Sequence, residues 1–451
     1  MEQRASTPLH EHPSPGGSYR WVICALLFFA TTINYMDRQV IAILKPVLQS
    51  ELHWSHPENI EEEYSYIVMA FTVAYACGTL LFGWFIDKVG TKIGYAASII
   101  IWGLSSLGHT LARSSFGFGV ARVGLGLGES GNFPAAIKTV AEWFPKKERA
   151  LATGVFNSGA NIGAVLAPVI IPWAIYYFAA DPAHPFWQVG FLITGLCDFI
   201  WLAFWLFIYQ RPADKKRLTK EEYAYIHSDA DEQTVSAEKV AWGRLLGYRQ
   251  TWAIFLGKFL TDCVWWFYLF WLPSYLKDKY QVDIKDLANF ALPLILIYSM
   301  TTIGSVGGGW FSSRLIKNGW PVNRARKTAM LTFALAVMPV IVVKFVSLWP
   351  AVFLIGLAAA SHQAWSANIF TTASDMFPKK AVASVTGIGA MAGAVGGILF
   401  QWLTGILLSS TKNAGNIEIG YFIVFVLCGC MYLAALLLFH LLAPKMEIVH
   451  V

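Results

Sequence analysis

Apolar runs of about 20 residues recur along the chain, separated by short stretches rich in charge, Gly and Pro. A run of that length crosses the hydrocarbon core of a bilayer when it is helical. Twelve such segments are predicted, at 20–45, 64–87, 93–112, 115–143, 149–179, 186–209, 252–276, 288–313, 325–345, 349–377, 381–409 and 419–443. The longest polar stretch, 211–250, lies between the sixth and seventh. The pattern thus predicts an all-α integral membrane protein of two six-helix bundles. Their expected bounds are a tail 1–19, a first bundle 20–210, a linker 211–250, a second bundle 251–443 and a tail 444–451.

Charge placement orients the segments. Lys88, Lys92, Lys146, Lys147 and Arg149 fall on one side, with Arg211, Lys215, Lys216, Arg217, Arg314, Lys317, Arg324, Arg326, Lys327, Lys379 and Lys380. Glu51, Glu58, Glu61, Glu62 and Glu63 fall on the other. The positive-inside rule makes the basic side cytoplasmic, together with both termini. The loop 277–287 departs from this pattern, but Asp278, Asp283 and Asp286 balance its lysines. In the linker, Thr219 followed by Glu222 forms a capping box for a short helix, and "WGRLLGYRQTW" is expected to lie on the membrane surface.

Composition sharpens the class. Of 451 residues, 56% are hydrophobic and only 14% charged, too apolar for a soluble protein. The net charge of +6 reports topology rather than nucleic-acid binding. The first 18 residues show no signal-peptide pattern and read as a polar tail. The six cysteines lie in apolar runs without metal-ligand spacing and read as small buried thiols. No metal site and no cofactor is expected.

The two halves repeat. "EWFPKKERALATGVFNSGANIG" from Glu142 matches "DMFPKKAVASVTGIGAMAGAVG" from Asp375 at an offset of 233, and "GWF" at Gly83 recurs at Gly309. Duplicated bundles with a site between them describe one transporter architecture. "GWFIDKVGTKIG" resembles the loop motif of the major facilitator superfamily, carrying Gly83, Asp87, Lys88, Gly90 and Lys92. That resemblance implies a gating role for Asp87, bonded across the halves on the cytoplasmic side while the outward-facing state persists, with Arg149 as candidate partner. Ser313 stands at the corresponding place in the second half. "NYMDR", "ARVGLGLGESGNFPAA", "RLTKEEYAYI" and "SHQAWSANIFTTASDMFP" further resemble the anion:cation symporter family, its hexuronate-transporter branch above all. The resemblance implies proton-coupled symport of a sugar acid such as galacturonate or glucuronate, by a monomer in the cell's inner membrane. Aldonates, glucarates and other carboxylates are carried by relatives, and a uniporter or exchanger on the same fold is the close variant. An enzyme would need a motif such as H-E-x-x-H or G-x-S-x-G, and a sensor would need an added soluble domain; neither is present.

Ionisable residues inside spans mark functional sites by default. In segment one, Thr31, Asn34, Tyr35 and Arg38 share a face, and Asp37 stands about 100° away from Arg38. The two charges are therefore expected to act separately: Arg38 toward an anion, Asp37 toward segment four as a proton site. The alternative is that both are members of structural ion pairs. In segment four, Arg122 and Glu129 are two turns apart, so Glu129 is a second proton candidate or a permanent partner of Arg122 or Arg38. The resemblance also implies a coupling role for this acid. Gly124, Gly126, Gly128 and Gly131 permit close helix approach. Lys258 in segment seven meets either a substrate carboxylate or Asp262 one turn on. The nearby Trp265, Trp266, Tyr268 and Trp271 suit a sugar face or the membrane interface. His362, Gln363, Trp365 and Asn368 in segment ten, Asn157 and Asn161 in segment five, and Tyr75 in segment two complete the substrate candidates. His362, opposite Glu129 under the repeat, reads either as a ligand or as a satisfied core residue. Asp198 reads as structural.

Overall fold

The computed structural model describes residues 17–181, 184–228 and 242–449. The helices are α1 (Tyr19–Glu51), α2 (Ile60–Val89), α3 (Thr91–Gly108), α4 (Ser115–Glu129), α5 (Asn132–Trp143), α6 (Lys146–Tyr177) and α7 (Gln188–Ile208). The linker contributes α8 (Lys220–Ile226) and α9 (Trp242–Leu245). The second half contains α10 (Arg249–Tyr280), α11 (Leu287–Lys317), α12 (Val322–Val337), α13 (Leu348–Met376), α14 (Lys379–Asn413) and α15 (Ile417–Leu442). Each of the twelve predicted segments is helical, the fourth as α4 and α5 together. The fold is that of an all-α membrane protein.

Two segments change course where proline removes a donor. Pro134 cannot bond back to Ser130, and the break between α4 and α5 falls there. Pro339 opens the stretch Met338–Phe345, where α12 tightens into a 3-10 helix. Gly90 turns α2 into α3 at a φ of 87° that a side chain would resist.

Several helices outrun their apolar cores. α2 starts at Ile60, so Glu61, Glu62 and Glu63 fall in its first turn rather than in a loop. Acidic groups are favoured at a helix N-terminus, and Glu61 and Glu63 are buried there. In the linker, Thr219 accepts from the Glu222 amide as a cap should, while Glu222 reaches Arg20 at the start of α1. The stretch beyond Trp242 makes only a four-residue helix, and Leu245 is buried against protein. Cys77 and Cys430 correct the buried-thiol expectation: both are exposed.

Among the described residues, eight helices are long and apolar enough to cross a membrane by length and composition alone. Segments one, three, four and ten fall short of that standard. Segments one, four and ten carry several of the charged and polar candidates named above, and such residues dilute a span.

Repeat-related positions make related contacts. Glu142 at the end of α5 accepts from Thr91 in α3. Asp375, its counterpart at the end of α13, accepts from Arg326 in α12 at 3.0 Å.

The halves meet through α2 with α14, α6 with α11 and α1 with α10. Among the described residues, the side-chain contacts that join them lie at mid-depth or toward the side opposite the termini. Lys412 donates to Glu61 at 3.0 Å, Ser409 to Asn59 at 2.9 Å, and Tyr64 to the Phe270 carbonyl at 2.9 Å. Gly405 lies so close to Ser65 that a Cβ there would stand 2.3 Å from its hydroxyl. The molecule is closed on that side, and the halves part toward the side of the termini.

Candidate functional site

α4 can reach the centre because its glycines let backbone touch backbone. A Cβ at Gly126 would lie 2.4 Å from the Phe71 carbonyl, and one at Gly128 2.4 Å from the Trp102 amide nitrogen. α2 and α3 therefore press on α4, and Arg122 and Glu129 are held fully inside.

Arg38 of α1 meets Glu129 of α4, with Nε donating to Oε2 at 2.6 Å. Its guanidinium lies over the rings of Tyr75 at 4.6 Å, Tyr35 at 4.9 Å and Phe71 at 5.6 Å. Trp266 of α10 brings the second half to within 6.0 Å of the same group. An aromatic cage of this kind holds a cation while leaving its edge free to bond. Glu129 Oε1 and Arg38 Nη2 are buried without hydrogen-bond partners. Arg122 is more exceptional: Nε, Nη1 and Nη2 all lack partners, and its closest ring is Phe71 at 5.6 Å. Two guanidinium groups thus flank one phenyl ring, and only one has a carboxylate.

Asp37 turns away from both. Trp102 Nε1 donates to it at 3.0 Å and Ser106 Oγ at 2.8 Å, both from α3. The expectation that Asp37 faces segment four is corrected. One residue's rotation from Arg38 carries the side chain past α4 to the seam with α3 and α7. Glu129 likewise takes Arg38, not Arg122, as its bonded partner.

The second half is more fully paired. Lys258 is bound to Asp262 at 2.8 Å, lies over the Phe370 ring at 3.8 Å and reaches Ser366 at 3.5 Å. Gly393 makes room for that pair, since a Cβ there would stand 2.2 Å from the Asp262 carboxylate. His362 shares a 2.7 Å hydrogen bond between Nδ1 and the Tyr432 hydroxyl and stacks on Trp265. Asn368 donates to the carbonyls of Gly308 and Ala364, tying α11 to α13. Trp365 is buried edge-on to Tyr432, and Gln363 is half-buried. At the seam between halves, Thr301 donates to Asn161 at 3.4 Å. Asn157, one turn along the same face of α6 toward the terminal side, is exposed.

Asp87 bonds within its own half, to Lys138 of α5 at 2.9 Å. A bond across the halves belongs to the outward-facing state, and among the described residues no side-chain contact joins the halves on the terminal side. The Arg149 side chain lies outside the described residues.

Four groups escaped the sequence reading. Phe71 precedes Tyr75 by one helical turn, and that spacing could have found it. Lys138 is a charge inside a predicted span, which is the signal that singled out Arg122. Lys45 lies at a segment end and Glu61 in what read as a loop, yet the two form a fully buried ion pair. Nothing local in the sequence joins them.

The profile of the Major Facilitator Superfamily matches residues 27–401. The chain belongs to that superfamily and is a membrane transporter, not an enzyme. It is 34% identical over 399 residues to the hexuronate transporter of Escherichia coli (strain K12), covering 86% of this chain and 87% of that protein. It is 37% identical over 294 residues to the galacturonate transporter of Dickeya chrysanthemi, covering 64% and 81%. Among solved structures, it is similar to a bacterial homolog of the human lysosomal transporter Spinster in an inward-facing and occupied conformation. There the TM-score is 0.74 at 16% identity, covering 95% and 98% of the two chains.

Proposed function

We propose that the chain carries out proton-coupled symport of a sugar-acid anion, a hexuronate such as galacturonate or glucuronate, by alternating access. The observation that carries this reading is Arg122, a fully buried guanidinium without a hydrogen-bond partner beside the caged Arg38–Glu129 pair. Burying a cation unpaired costs several kcal/mol, so the site is built for an anion. The named relatives give that anion its class.

A substrate carboxylate binds between Arg122 and Arg38, the geometry a planar fork serves well. Tyr35, Tyr75, Asn157 and Asn161 take the hydroxyls, and Trp266 faces the ring. Lys258, His362, Gln363, Trp365 and Asn368 complete the cavity from the second half, with Lys258 held by Asp262 in this state.

Coupling follows from competition for Arg38. Protonated Glu129 loses its hold, and Arg38 turns to the anion. On the less acid side Glu129 loses its proton, reclaims Arg38 and expels the anion. Asp37 is the companion proton site. Asp87 and Arg149 gate the terminal side, which the positive-inside rule makes cytoplasmic, in an inner membrane and as a monomer.

The test is uptake of labelled galacturonate and glucuronate into proteoliposomes, with and without an inward proton gradient. Gradient-driven accumulation that an aldonate does not compete away is expected. Glu129→Gln should abolish that accumulation and retain counterflow. Label that only equilibrates in the wild type would remove the proton from the mechanism.

A further inference from the structure

Asp198 of α7 is 1% exposed, and neither of its carboxyl oxygens has a hydrogen-bond partner. α7 packs on α1 and on α3, and Asp198 lies in that seam. A Cβ at Gly103 of α3 would stand 3.2 Å from the Asp198 Cβ, so this glycine admits the aspartate. Trp102, next to Gly103 in α3, donates its indole Nε1 to Asp37 at 3.0 Å, so Asp37 and Asp198 meet the same stretch of α3. The Ser106 hydroxyl, bonded to Asp37, is 3.2 Å from the Thr194 hydroxyl one turn before Asp198. Two carboxyl groups therefore share a seam that contains hydroxyls and an indole but no cation of its own.

Charge counting shows what the seam must hold. The charged groups described deep in the first half are Arg38 and Arg122 against Asp37, Glu129 and Asp198; buried His109, stacked on Phe191 of α7, donates Nδ1–H to the Ser105 carbonyl at 2.7 Å, has no acid bonded to it and counts as neutral. Cys197, next in the chain to Asp198, adds a neutral thiol, and α3 presents Tyr95, a phenol that donates to Asn132 and packs on Trp201 and Trp205 of α7. Arg38 is matched by Glu129 at 2.6 Å. Arg122 can balance one carboxylate more, which leaves one carboxyl group to be neutral. Two adjacent carboxylates in low dielectric do not both ionise, so one proton stays with the pair.

We propose that Asp198 and Asp37 form a carboxyl pair sharing one proton, and that Asp198 sets the acidity at which Asp37 gains and loses its proton during transport. Asp198 is thereby a positioning residue for the coupling proton, reached through Asp37 and not through the substrate. This rests on the symport reading above. Its sign is fixed: removing the Asp198 charge lets Asp37 ionise more readily, so stronger acid is needed to protonate it.

The test is the pH profile of gradient-driven uptake and of counterflow for Asp198→Asn in proteoliposomes. We expect the half-maximal pH of uptake to fall by on the order of one unit, with the acid-plateau rate retained. Asp198→Glu should return the profile toward the wild type. An unshifted Asp198→Asn profile beside a proton-coupled wild type overturns this inference alone. A second measurement needs neither transport nor a variant at position 198: the infrared carbonyl band of a protonated carboxyl group in the purified protein. The band should be present at neutral pH, persist in Glu129→Gln and vanish in Asp37→Asn. A wild type without the band, or its survival in Asp37→Asn, overturns the pair. A wild type that fails to accumulate substrate removes the symport reading, and the infrared result still decides whether the proton is shared.

Discussion

The two halves repeat in sequence and differ in how their polar groups are satisfied. In the first half, Arg122, one arm of Arg38, one oxygen of Glu129 and both oxygens of Asp198 are buried without partners. In the second, Lys258 is closed on Asp262, His362 is bonded to Tyr432 and the Asn368 amide nitrogen donates to backbone carbonyls; the partnerless buried atoms there, among them Asn368 Oδ1, Trp365 Nε1 and the Tyr268 hydroxyl, belong to neutral side chains. Unsatisfied buried groups are expensive, so a fold retains them where a ligand or proton completes them. On the proposed reading, the ionic work falls to the first half, and the second is a shaped wall whose charges are paired internally.

The largest expected effect would break that comparison most directly. Arg122→Ala should weaken hexuronate binding by on the order of a hundredfold, the loss of one or two charge-assisted hydrogen bonds. Lys258→Gln combined with Asp262→Asn removes the second-half pair without stranding either charge. That double variant should bind within about threefold of the wild type, as expected when a buried pair is replaced as a unit. Equilibrium binding to purified protein measures both. Equal losses would return Lys258 to the substrate.

A smaller effect is expected at the closed side. Lys412 reaches across to Glu61 at 3.0 Å, while Lys45 within the first half keeps Glu61 paired. Lys412→Ala therefore loosens the junction without leaving a buried carboxylate alone. Lys412 is about half exposed, so its bond is worth no more than ~1 kcal/mol and shifts the open and closed populations a few-fold. Spin labels at Glu58→Cys and Ala414→Cys should show a longer-distance population that grows in Lys412→Ala. An unchanged distribution would assign the closure to the apolar packing of Tyr64 and Trp271.

What the sequence made legible follows from the range over which each signal acts. Segment length and the repeat are properties of the chain itself, and the helices follow them. The separation of Asp37 from Arg38 is helical rotation, and it is seen. Which neighbour each then meets depends on how helices far apart in the chain pack. Segment spacing could offer Glu129 either Arg122 or Arg38, and only the packing of α1 on the first bundle chooses Arg38. Lys45 and Glu61 were hidden for the same reason, one lying at the end of an apolar run and the other in an acidic cluster. His362 shows the limit of the repeat: aligned with Glu129, it carries different chemistry because Tyr432 and Trp265 surround it.

His362 also gives the smallest expected effect and the sharpest check on the asymmetry. Its Nδ1 is 2.7 Å from the Tyr432 hydroxyl, and its ring lies parallel to Trp265 at 5.6 Å between centroids. A ring held on a face and at an edge is a packing element. His362→Gln keeps a polar group near Tyr432 and loses the stack, which is worth roughly 1 kcal/mol of stability. Thermal unfolding in detergent should fall by a few degrees. The KM for hexuronate should stay within about twofold, and the pH profile of uptake should not move. A shifted profile with an unchanged unfolding temperature would make His362 a proton site. The second half would then carry coupling charge in its own right, and the contrast between an ionic half and a paired half would fail at the position the repeat aligns with Glu129.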